Sequence, residues 1–141
     1  DGMDVAICLV DEHQKMVLFG GAKRPLLYVQ NGKVEKLKGD RHSVGGHKEK
    51  RGRALSKSFT SKELPLNGDT SLYLFSDGIV DQFGGDAGRK LMQKGVKEII
   101  GEVQQQPLSR QMEEIKTRLD QWRNGYKQLD DILVIGLHIS V

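Results

Sequence analysis

The chain has 141 residues, 37% apolar and 29% charged, with one cysteine and a formal net charge of +3. That length gives one domain with a real core, and that composition excludes a disordered chain. It also excludes a disulfide framework and a cysteine-built zinc site, and no apolar run approaches the length of a membrane span. Charge is uneven. Residues 33–62 hold ten Lys/Arg against three acids, so that stretch carries +7 and the rest of the chain −4. No secretory leader pattern is present, and a reducing cytoplasm suits the lone Cys8, read as a small apolar residue. The chain opens on Asp1-Gly2 and enters a strand at once, which reads as a start inside a longer protein.

In chain order, Val5 to Val10 is apolar on both alternating faces, and Met16 to Phe19 follows across a polar turn holding His13. These two runs predict a hairpin. Leu26 to Gln30 and Lys33 to Lys38 flank Asn31-Gly32, a strong short hairpin signal because both residues accept positive φ. The second arm alternates poorly and reads as a short edge strand. Gly39 to Ser58 reads as an irregular basic loop. Phe59 to Leu64 reads as a further edge strand, and Ser71 to Ser76 as a buried one. Apolar residues at Leu91, Met92, Val96, Ile99, Ile100 and Val103 recur with helical spacing. So do Leu108, Met112, Ile115, Leu119 and Trp122, with Pro107 between the two stripes. Ile132 to Ile139 closes the chain as a buried strand. Hairpins, two-faced strands and one-sided helices predict an α+β fold of antiparallel sheets packed together, with helices outside.

Two acidic clusters stand at strand ends. Asp77-Gly78 follows a buried strand, with Asp81 four residues after Asp77, and Asp130-Asp131 precedes the last strand. Converging carboxylates need a cation or a proton between them, and an all-oxygen set suits Mg²⁺ or Mn²⁺ over zinc. Taken alone, each cluster is better explained as an ordinary turn or a solvated loop end.

Together these segments resemble the C-terminal part of the type 2C metal-dependent serine/threonine phosphatases, in their SpoIIE-like branch. The resemblance rests on Asp1 to Ala6, Phe19-Gly20-Gly21-Ala22-Lys23-Arg24-Pro25-Leu26, Leu72 to Gly78, Asp81 to Gly85 and Asp130 to Gly136, in that order and spacing. It implies an α-β-β-α sandwich that hydrolyses phosphoserine or phosphothreonine in a protein partner with two Mn²⁺ or Mg²⁺ ions. By motif, Asp77 and Asp130 are the implied metal ligands. Asp131 is implied to orient Asp130, Gly78 and Asp81 to be structural or outer-shell, and Lys23 and Arg24 to be possible substrate contacts. Such domains imply bacterial signalling, an upstream sensor or regulatory domain and a cytoplasmic site of action. The family's other metal segment, an aspartate before Gly-His-Gly, has no counterpart here. The chain is therefore expected to be an incomplete domain, inactive by itself, with activity belonging to the full-length parent.

The competing reading is a non-catalytic binding module built on the basic stretch 33–62, where Lys48, Lys50, Arg51, Arg53 and Lys57 could meet phosphates. No aromatics interleave with these charges, which argues against nucleic acid and for a solvated loop or a docking surface for an acidic partner. His42 and His47 flank a Gly-containing loop that resembles one at the family's active-site rim; they could contact phosphate but read first as loop residues, and His138 reads as the exposed end of the last strand.

Overall fold

The computed structural model describes residues 2–45 and 58–141. The first strands are β1 (Gly2–Met3), β2 (Val5–Asp11) and β3 (Met16–Ala22), followed by β4 (Leu26–Gln30) and β5 (Lys33–Leu37). β6 (Val44–Gly45) precedes β7 (Ser61–Pro65) and β8 (Thr70–Phe75). A single helical turn α1 (Asp77–Val80) and a small ladder of β9 (Phe83–Gly84) and β10 (Arg89–Lys90) lead to α2 (Met92–Val103) and α3 (Leu108–Arg123). β11 (Val134–Ile139) comes last.

All the ladders between these strands are antiparallel. One sheet has four strands in the order β11-β8-β4-β5, and a second has three in the order β2-β3-β7. The β4–β5 turn takes φ +52° at Asn31 and +73° at Gly32, the left-handed pair that two-residue hairpins require. The short arms foreseen near 33–38 and 59–64 are the edge strands β5 and β7. The expected irregular loop after Gly39 holds β6, which pairs with β1 through Gly2↔Gly45 and Met3↔Val44. Two-residue ladders carry no periodic signal, so neither this pair nor β9–β10 could be read from the sequence.

The period of two assigns each face of the four-stranded sheet a different partner. Leu27, Val29, Tyr73 and Phe75 face the helices and meet Val96, Ile100, Val103, Ile115 and Leu119. Leu26 and Leu72 point the other way and pack on Val17, Phe19 and Leu64 of the second sheet, with Ala6 and Cys8 at the margin. Each such side chain, once fully buried, contributes about 1.5–3 kcal/mol. A buried network ties the layers: Tyr73 donates to Gln111 Oε1 at 2.6 Å, and Gln111 donates to the carbonyl of Gln106 at 2.6 Å. α3 stops at Asn124, which adopts a left-handed φ of +46°, with Gly125 next at +87°.

The described residues thus form a sheet-on-sheet sandwich with one helical layer. Two expectations about cover need correction. The last strand is not buried: Ile135 is 51% and Leu137 46% exposed. β11 is the outermost strand of its sheet, and on that face Ile139 packs against the second sheet's core while Ile135 and Leu137 stay exposed. On β2, Ile7 and Leu9 are also exposed, because that face of the three-stranded sheet has no layer over it.

Candidate active site

Strand pairing brings the two acidic clusters together. β8 and β11 lie side by side with Phe75 opposite Val134, so the residues just after β8 meet those just before β11. Asp77 is the first residue of α1, and Ser76 adopts the extended conformation that precedes the helical turn. Asp130 and Asp131 sit in the segment leading into β11.

Ser76 staples the two segments. Its backbone N–H donates to Leu133 O at 2.9 Å. Its hydroxyl donates to Asp131 O at 3.1 Å and accepts from the Leu133 N–H at 3.0 Å. Gly78 allows the close approach: a Cβ there would stand 2.1 Å from Asp131 O. The Asp131 N–H donates to Asp130 Oδ1 at 2.8 Å, which fixes that carboxylate.

A cavity of about 460 Å³ opens over these strand ends. Asp77, Asp130 and Asp131 line it together with Arg24, and Asp4 reaches it from the other sheet. Arg24 is buried although it stands beside a turn. It donates to Asp77 Oδ1 and to the Phe75 carbonyl, and its guanidinium carbon lies 5.4 Å from the Phe75 ring centroid. Burial pulls its pKa below the ordinary value, and the negative charges of Asp4 and Asp81 oppose that pull. Lys23 is exposed, with φ +58°. Asp81 caps α1 and pairs with Lys90 at 3.1 Å; it does not line the cavity. His42 packs on Phe59 with ring centroids 4.5 Å apart, and His138 Nδ1 lies 3.1 Å from the Ser71 hydroxyl. His47 and the basic residues Lys48, Lys50, Arg51, Arg53 and Lys57 lie outside the described residues.

Sequence reasoning missed two members of this site. Asp4 enters from the residue just before β2 of the opposite sheet, with one oxygen accepting from the Ser43 hydroxyl at 2.5 Å. Ser76 was visible only as the residue before Asp77. A larger cavity of about 600 Å³ lies between α2 and α3, lined by Trp122, Arg118 and Glu102 among others. It contains none of the paired aspartates.

The donor chemistry fits a hard divalent cation: carboxylate oxygens facing one solvent-open cavity, with no thiolate or imidazole among them. The number of donors makes a partial set. Among the described residues, no three Asp, Glu, His or Cys side chains group closely enough to hold a metal ion. Six oxygens around Mg²⁺ or Mn²⁺ would therefore need further groups or water.

This sandwich is shared with solved phosphatase domains. The SiaA-PP2C domain of Pseudomonas aeruginosa superposes with a TM-score of 0.85 at 27% identity, over 97% of this chain and 52% of that one. The Mn-presoaked phosphatase domain of the cell fate determinant SpoIIE from Bacillus subtilis gives 0.64 at 15% identity, over 97% of this chain and 56% of that one. A SpoIIE structure holding the PP2C phosphatase domain and a fragment of the regulatory domain gives 0.71 at 14%, over 96% of this chain and 37% of that one. The chain thus spans about half the length of the phosphatase domains it matches. No curated protein matches the sequence. The fold is that of part of a PP2C phosphatase domain. The sequence model of Stage II sporulation protein E (SpoIIE) matches residues 3–140, and the chain belongs to that family.

Proposed function

We propose that the full-length protein is a metal-dependent phosphatase that removes phosphate from phosphoserine or phosphothreonine in a protein partner. One observation carries the reading: Asp77 and Asp130, far apart in sequence, line a single cavity at the ends of paired strands in a chain of the SpoIIE family. Asp77 and Asp130 would hold Mn²⁺ or Mg²⁺, which supplies an acidified water and neutralises charge on the phosphoryl oxygens. The chain's own residues set the geometry. Ser76 and Gly78 hold the two strand ends in contact, and the Asp131 N–H orients Asp130. Asp4 adds a carboxylate from the opposite sheet.

The 141 residues correspond, in this reading, to the C-terminal portion of the catalytic domain. The partial donor set supports that placement, and residues 1–141 alone should not turn over an aryl phosphate. A role in bacterial signalling under an upstream regulatory domain follows from the same family, as does action in the cytoplasm. No helix among the described residues is long and apolar enough to cross a membrane. The test is hydrolysis of phosphoserine and phosphothreonine peptides by the full-length protein with Mn²⁺, with Mg²⁺ and with EDTA. Turnover that needs the metal supports the assignment; equal turnover in EDTA rejects it.

A further inference from the structure

Arg24 is a charged side chain that the fold has taken out of water. Its side chain is 9% exposed, whereas that of its partner Asp77 is 51% exposed. The guanidinium is pinned on three sides, by Asp77 Oδ1, by the Phe75 carbonyl and by the Phe75 ring. A group held in this way cannot swing into solvent to make room, and a buried cation that loses its anion is strongly destabilising. Asp77 is the one carboxylate it bonds among the described residues, while Asp4 lines the same cavity.

We propose that Arg24 is the resident cation of the carboxylate site: it holds one oxygen of Asp77 in competition with the divalent ion. It thereby loosens metal binding and keeps Asp77 neutralised when no ion is present. This rests on the metal reading above. A divalent ion at Asp77 must share that carboxylate with a fixed positive charge, and like charges near one ligand lower the affinity for the second. With the ion gone, Asp130 and Asp131 remain solvated at an exposed loop, and Asp77 keeps its partner. A lysine would not reproduce this arrangement, because one ammonium lacks the planar fork that spans a carboxylate and a carbonyl together.

The test uses the full-length protein, its Arg24→Gln and Arg24→Lys variants, and Asp77→Asn as a control. Mn²⁺ affinity is read by calorimetry, and thermal unfolding is followed in EDTA and in Mn²⁺. Arg24→Gln should bind Mn²⁺ about tenfold more tightly than wild type, since a fixed positive charge beside the ligand is gone. It should melt lower in EDTA, and Mn²⁺ should raise its Tm by more than it raises that of wild type. Should Arg24→Gln fail to fold without metal, Arg24→Lys decides the matter: the charge stays but the forked hold on the Asp77 oxygen is lost, so Mn²⁺ binding should tighten by less than about tenfold, at a Tm nearer that of wild type. Mn²⁺ binding that is unchanged or weaker in the variant that decides would overturn the proposal and make Arg24 a residue that positions Asp77 for the metal. Mn²⁺ binding that is the same in Asp77→Asn as in wild type would instead remove the metal reading at Asp77, whatever Arg24 does.

Discussion

Replacing Gly78 by alanine probes the contact that joins the two acidic segments. The added Cβ would stand 2.1 Å from Asp131 O, 2.8 Å from its carbonyl carbon and 3.2 Å from Ile132 Cγ1. A relaxed C···O contact is about 3.3 Å, so the Asp131 segment must retreat by about 1 Å. That segment is backbone, held by the Ser76 staple, and it has no flexible end to bend aside. Overpacking of this kind costs about 1–3 kcal/mol. Against it stands a gain of up to about 1 kcal/mol from replacing glycine in a helical turn, and α1 is only four residues long. A net loss of about 1–2 kcal/mol should lower Tm by about 3–8 °C in a domain of this size. Activity should suffer more than stability, because a misplacement of about 1 Å in a catalytic constellation costs on the order of a hundredfold. Differential scanning fluorimetry and metal-dependent aryl-phosphate turnover of the full-length protein read the two effects. Wild-type Tm together with wild-type turnover would show that the strand ends do not depend on this close approach.

Ser76→Ala removes both side-chain bonds of the staple and should cost about 1–2 kcal/mol, read as a lower urea midpoint with an unchanged m value; Ser76→Thr should retain most of the stability. Asp40 accepts from the Thr60 N–H at 2.7 Å, and this backbone hydrogen bond is the main reason its carboxyl titrates below the ordinary value. A carboxylate with a lowered folded pKa stabilises above its unfolded value, about 4, and loses that contribution as pH falls through the folded value. Wild type should therefore be more stable than Asp40→Asn at pH 7, with the gap closing in strong acid; a gap independent of pH would assign the effect to the side chain's shape.

Much of the frame was legible in the sequence. The Asn31-Gly32 turn fixed the β4–β5 hairpin, and the apolar stripes around Val96 and Ile115 fixed the long helices, because both signals are local. Asp77 and Asp130 were singled out by standing at strand ends, and β8–β11 pairing then placed them in one cavity. What stayed hidden depends on long-range arrangement. Alternation along β11 shows which residues share a face, and says nothing about whether another layer stands above Ile135 and Leu137. A charged residue between Gly21 and Pro25 reads as surface, yet the β3–β4 crossing carries Arg24 inward beneath Asp77. Asp4 joined the cavity only through the packing of one sheet on the other. Ser76 gave no signal, since its partners lie more than fifty residues away.

The joint metal ligation by Asp77 and Asp130 is tested most directly by Mn²⁺ titration of the full-length protein, its Asp77→Asn and Asp130→Asn variants, and the double variant. Ligands of one site act as a unit, so their losses do not add. Each single variant should bind Mn²⁺ at least about tenfold more weakly, and the double variant should be little worse than the weaker single. Additive losses would place the two aspartates in independent sites, and wild-type affinity in both singles would contradict metal ligation by this pair.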